Sequence, residues 1–350
     1  MVCIAAFIIL LIVGVFVAFI SIFKPKVGKR YLKTLKKSWG CFGKRLTLQK
    51  CETGFGDDVK NTVLSKLVLK NPKLVKPASI AIEVASILVV VITAWSLVEG
   101  AKAGLALWTL GTCNVQHPDS CALGAEICSI DGNGGPQNPI EAVGQWFADW
   151  GEIFGAVPDK FRDWNVTNFD FQGLRIKSDG DIDAIDIFDP GCVVCLQSYK
   201  TQKESGFFDS HNVLLVPYAI PSEDGYKFAN SELIVRYVFA TEKIESTVQG
   251  AGLKIIDRIF MEKDEKHASY QTNFNDVYSA DEAKQILQDW LKEFGCTDED
   301  ISKIDEIAYS EEITEIFKRH DDLVKNNIHA KGIPTMLYDG GKHTGKYEVK

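Results

Sequence analysis

A chain of 350 residues has room for about two domains, or for one domain together with membrane segments. Its net charge of −8 conceals a division: residues 24–77 hold fifteen Lys/Arg against three acids, a net of +12, whereas residues 98–350 hold twenty-four against forty-three, a net of −19. The basic stretch lies between two hydrophobic segments, a setting that argues against a nucleic-acid partner and for a chain whose two parts face different environments.

Residues 1–23 are predicted to form a first transmembrane helix. Val2 to Phe23 carry no charge, and a helix of this length, at about 1.5 Å per residue, covers a hydrocarbon core of about 30 Å. Lys24-Pro25-Lys26 follows the run where a cleavable signal peptide would have small residues. Residues 78–98 form the second predicted span, with Glu83 near one end. The basic loop 24–77 between them stays cytoplasmic by the positive-inside rule, so the protein is expected in the cell membrane as a multi-pass chain with its C-terminal part extracytoplasmic.

Residues 99–165 read as an extracytoplasmic loop and an amphipathic helix. The loop carries Cys113, Cys121 and Cys128. Their spacing suits one local disulfide with one cysteine left over, in preference to a zinc site, for which the ligands are too few and too irregular. Asn138-Pro139 provides an N-cap and a first-turn proline. Ile140, Val143, Phe147, Trp150, Phe154, Val157, Phe161 and Trp164 then keep a helical period, which Pro158 is expected to break or kink. The acidic face of this helix argues for packing on protein, or for bridging anchor and domain, over lying on anionic lipid.

From residue 166 the pattern changes to short strands and turns, Phe169 to Ile176 among them. Ile182 to Phe188 reads as a core strand leading through Asp189-Pro190-Gly191 into Cys192-Val193-Val194-Cys195 and a helix. A cysteine at a helix N-terminus sees about half a positive charge and free N–H groups, which favour the thiolate. The second cysteine, one turn on, can attack a mixed disulfide made by the first. Zinc is the rival for any Cys-x-x-Cys, but the chain has no second ligand pair. A strand at 212–217 follows, then a mostly helical region over about 222–330 with Ser279 and Ser310 as caps.

These features resemble the thioredoxin superfamily, and its DsbA-like branch in particular. The resemblance rests on Cys192 and Cys195 after a strand, on Asp186 six residues before Cys192, and on Gly332-Ile333-Pro334-Thr335 ahead of the strand Met336-Leu337-Tyr338. It covers residues 166–350 and implies an α/β thioredoxin-like domain with an inserted helical region, here preceded by two transmembrane helices. In that family the acid moves the proton of the resolving cysteine, and a cis proline shapes the groove for a substrate's backbone. The resemblance therefore assigns Cys192 as nucleophile, Cys195 as resolving thiol, Asp186 as proton relay and Pro334 as platform, with Ile333 and Thr335 contacting substrate. Between the cysteines the chain has Val193-Val194 in place of the histidine of strongly oxidising relatives, which argues for a milder couple. The helix that usually follows the last strand is missing, so an earlier element, such as the 139–164 helix, would cover that face unless the chain continues.

The expected function is that of a membrane-tethered thiol-disulfide oxidoreductase. Its partners would be exported protein thiols and disulfides, a membrane or extracytoplasmic redox partner, and the lipid bilayer. No organic cofactor and no metal is implied. The alternative is a surface structural or interaction protein with a permanent Cys192–Cys195 disulfide.

Overall fold

The computed structural model describes residues 75–118, 127–130, 136, 138–177, 180–244 and 249–349. The chain divides into two units, Met1–Lys102 and Ala103–Lys350. The first expected span and the basic loop up to residue 74 lie outside the described residues. The second expected span lies within a longer helix, α1 (Val75–Leu110), which passes the anticipated end at Val98. Ile80, Ile87, Leu88, Val91 and Trp95 are exposed along it. Among the described residues, no helix is long and apolar enough to cross a membrane, so the two-helix anchor rests on the sequence alone.

The second unit is a mixed α/β fold. Its sheet has five strands in the order β2 (Leu174–Arg175), β4 (Val213–Pro217), β3 (Ala184–Phe188), β8 (Thr335–Tyr338) and β9 (Gly341–Thr344). β3 and β4 run parallel with Asp186 opposite Leu215, and β8 runs antiparallel to β3 with Met336 opposite Asp186. Every residue of β3, β4 and β8 is buried. Strands covered on both faces read as continuous apolar runs, which is why Val213-Leu214-Leu215-Val216 shows no alternation. This strand order, with helices inserted between β4 and β8, is consistent with a thioredoxin-like fold.

The remaining elements pack around that sheet. α3 (Val193–Ser205) and the short α4 (Phe207–Ser210) follow β3. A small hairpin, β5 (Pro221–Ser222) and β6 (Gly225–Tyr226), precedes the helical insertion. The insertion comprises α5 (Ser231–Thr241), α6 (Ala251–Met261), α7 (Tyr270–Asp276), α8 (Ala280–Glu293), α9 (Asp298–Ala308) and α10 (Glu311–Asp322). Ser279 Oγ caps α8 by accepting from the Glu282 N–H while the Ser279 N–H donates back to the Glu282 carboxylate, and Ser310 caps α10, each satisfying an N–H that the helix leaves open. Phe260 of α6 joins the insertion to the sheet, its ring 5.6 Å from Phe188 and 5.3 Å from Tyr199.

Two sequence expectations need correction. The strand over Phe169 to Ile176 is reduced to Leu174–Arg175, because Phe169 and Phe171 are buried without ladder partners, the first stacked on Trp164. The helix α2 (Pro139–Gly155) is capped by Asn138 as expected, but it buries Asp149 and Ile153. Ile153 and Ala156 pack with Ala106 and Leu110, while Ile140, Val143, Phe147, Phe154 and Phe161 of the apolar stripe are exposed. The segment after α2 does reach the β8–β9 hairpin: the Trp164 N–H donates to the Gly340 carbonyl, 2.9 Å away, and Lys342 lies over the Trp164 ring. The tail lies against α3, where the Tyr347 N–H donates to Ser198 Oγ.

Candidate dithiol site

β3 delivers the chain at Phe188 to a turn, Asp189-Pro190-Gly191, that is held from several sides. Asp189 is fully buried and accepts hydrogen bonds from the Ser231 hydroxyl, the Gly191 N–H (2.7 Å) and the Ile220 N–H (2.8 Å). On α7, Gln271 donates to the Pro190 and Cys192 carbonyls at 2.7 and 3.0 Å, and Asn275 to the Gly191 carbonyl at 2.8 Å. A Cβ on Gly191 would come within 2.4 Å of Phe228 Cβ and 2.7 Å of Ser231 Oγ, so only glycine passes between the turn and α5. This cradle places Cys192 as the N-cap of α3, with Leu196 donating to its carbonyl.

Facing Cys192 is the Ile333-Pro334 bond, which is cis. The Ile333 carbonyl oxygen lies 4.0 Å from Cys192 Sγ. Thr335 is fully buried and donates its hydroxyl to the Gly332 carbonyl at 2.7 Å, shaping the loop from inside.

Cys195 is buried and free, one turn into α3. Burial raises its thiol well above the usual value; a hydrogen bond from the Asp189 backbone opposes this, and the charges of Asp189 and Asp186 reinforce it. Asp186 lies within electrostatic reach of that thiol. Burial pushes its carboxyl up to about 7, only partly offset by the hydrogen bond from Gln202 Nε2 at 2.8 Å. Asp189 is pushed up to about 6, again chiefly by burial. A thiol that resists ionisation thus has two carboxyls nearby that can hold a proton near neutral pH, the pairing that proton transfer to and from a sulfur needs.

Cys192 is bonded to Cys128, not to Cys195. The permanent Cys192–Cys195 disulfide expected under the structural alternative is therefore absent from this state, and Cys195 remains a thiol. Cys113 is also disulfide-bonded, its partner lying outside the described residues. Among the described residues, no group of three or more His, Cys, Asp or Glu side chains could hold a metal.

No family model matches this chain, and no curated protein does. Among solved structures, the thiol-disulfide exchange protein alpha-DsbA2 from Wolbachia pipientis is similar at 14% identity and a TM-score of 0.35, over 57% of this chain and 88% of that one.

The structure thus brings together Cys192, Cys195, Asp186, Ile333, Pro334 and Thr335. Sequence reasoning missed Asp189, Gln202, Gln271 and Cys128. Gln202 had a signal: Cys195, Ser198, Tyr199 and Gln202 repeat at helical spacing and form the buried face of α3. Asp189 had one as well, a second acid at the end of an apolar strand. Nothing local marks Gln271 or the pairing of Cys128.

Proposed function

We propose that this chain is a thiol-disulfide oxidoreductase tethered to the membrane and acting on exported proteins. The observation that carries the proposal is the asymmetry of the two cysteines. Cys192 sits at a helix N-terminus against the cis-proline loop and is already in a disulfide with a cysteine outside α3. Cys195 is a buried, protonated thiol beside Asp186 and Asp189. In the forward step a substrate sulfur is bonded to Cys192; Cys195 gives its proton to a carboxyl and attacks Cys192 Sγ. The Cys192–Cys195 bond forms, and the substrate leaves as a thiol once it regains a proton. The two apolar runs, 2–23 and 78–98, flanking a loop of net +12 support the tether and an extracytoplasmic domain.

Cys195→Ala should accumulate covalent complexes with exported proteins on non-reducing electrophoresis, because no thiol remains to resolve them, whereas Cys192→Ala should accumulate almost none. Equal trapping by both variants would reverse the assigned roles. A second reading, a structural staple, is favoured by the complete burial of Cys192 in its bond to Cys128. It requires that neither variant trap anything and that Cys128–Cys192 survive mild reductant.

A further inference from the structure

The segment bonded to Cys192 is built like a docked peptide. Cys128 and Ser129 form a two-residue strand, β1, antiparallel to β7 (Gly332–Ile333), with Cys128 opposite Ile333. Ile130 extends the ladder by donating its N–H to the Lys331 carbonyl at 3.2 Å. Lys227 donates to the Ser129 carbonyl at 3.1 Å, and residues 127–130 are all buried. Gly332 is what admits them: a Cβ there would meet the Cys128 carbonyl oxygen and Ile127 Cδ1, both at 2.8 Å. The strand runs along the edge of the cis-proline loop and ends in a disulfide to the nucleophile. An extended chain adding to a free strand edge is held by main-chain bonds at any sequence, so the groove accepts this segment and a foreign one alike.

We propose that residues 127–130 are a tethered pseudo-substrate and that Cys128 is a third redox-active cysteine, so that the structure shows a closed, latent form of the site. The proposal rests on the oxidoreductase reading above. Opening is an internal exchange that needs no external oxidant. Cys195 loses its proton to a neighbouring carboxyl and attacks Cys192 Sγ. The Cys128–Cys192 bond breaks, the Cys192–Cys195 bond forms, and Cys128 leaves as a thiolate that takes up a proton. The number of disulfides is unchanged, and the edge of β7 becomes available to a protein substrate. β1 is only two residues long, so once the disulfide is exchanged a longer extended strand can compete for the edge of β7.

The test uses the full-length protein in detergent, acid-quenched, alkylated and mapped for disulfides. Wild-type protein should contain two species: Cys128–Cys192 with alkylated Cys195, and Cys192–Cys195 with alkylated Cys128. Purified free of substrate, Cys195→Ala should have Cys128–Cys192 as the sole internal bond of Cys192, and Cys128→Ser should have Cys192–Cys195. A closed form holding about nine-tenths of the molecules lowers the observed rate about tenfold; Cys128→Ser should therefore oxidise a reduced dithiol peptide about tenfold faster than wild type. The wild-type map needs no variant to fold. If Cys128–Cys192 is the sole species in wild type and Cys128→Ser leaves the rate unchanged, the pseudo-substrate is overturned while the oxidoreductase reading stands. If no form exchanges with the peptide and Cys195→Ala traps nothing, both fall.

Discussion

Asp186 has one carboxylate oxygen on Gln202 and the other without a partner among the described residues, in the middle of a strand with no access to water. Such a carboxyl is costly when ionised, and the cost has a sign. An unfolded aspartate titrates near 3.9, whereas burial moves Asp186 to about 7. Between those values the native state holds a proton that the unfolded state has lost. The stabilising contribution is full below about pH 4 and is lost as pH rises through about 7. Asp189 acts in the same direction through about 6. His320 acts in the opposite one: burial holds it down at about 3, so stability falls as pH drops from about 6.5 toward that value. Asp186→Asn should raise stability over wild type at pH 8 by a few kcal/mol, on the order of 4, and by nothing at pH 4. The same variant should slow release of trapped substrate by about 10²-fold, the usual worth of a positioned proton acceptor. Stopped-flow release and denaturant titrations at both pH values check the pair. Release unchanged across pH 6–9 would leave Asp186 a purely structural acid.

At the scale of elements, the turn before Cys192 is held by α7, which lies about eighty residues further along the chain. Gln271→Ala strands two buried carbonyls, those of Pro190 and Cys192, and should cost about 2–3 kcal/mol in a urea titration. A loss under about 0.5 kcal/mol would show that water replaces the amide. That clamp explains how much of the site was legible beforehand. β3, the Cys-x-x-Cys helix and the proline strand announce themselves by local pattern, as do the Ser279 and Ser310 caps. α7 reaches the turn only through the tertiary fold, and glutamines in short helices carry no mark of what they touch. α2 shows the complementary failure. Its apolar residues do keep a helical period, but periodicity identifies an apolar face without saying what covers it, and the face turned inward is the one bearing Asp149 and Ile153. The partner of Cys192 was illegible for the same reason: connectivity depends on which loop reaches the helix end.

On the scale of the whole molecule, the charge division is what the proposed topology rests on. An impermeant lysine reagent on intact cells should label residues after Val98 and spare Lys24 to Lys76; protection of the C-terminal domain would end the proposal of export. The cysteines add a second global property, the size of the ring that a disulfide closes. Cys128–Cys192 joins positions 64 apart and encloses α2, β2 and β3. A ring of that size restricts the unfolded chain by the equivalent of about 4 kcal/mol, whereas the four-residue ring of Cys192–Cys195 restricts it by about 2. Swapping partners conserves the number of disulfides and still loosens the chain. The form with Cys192–Cys195 should therefore melt about 4–8 °C below the form with Cys128–Cys192 in a scanning calorimeter. Equal melting temperatures would show that the unfolded chain gains no freedom when the large ring opens.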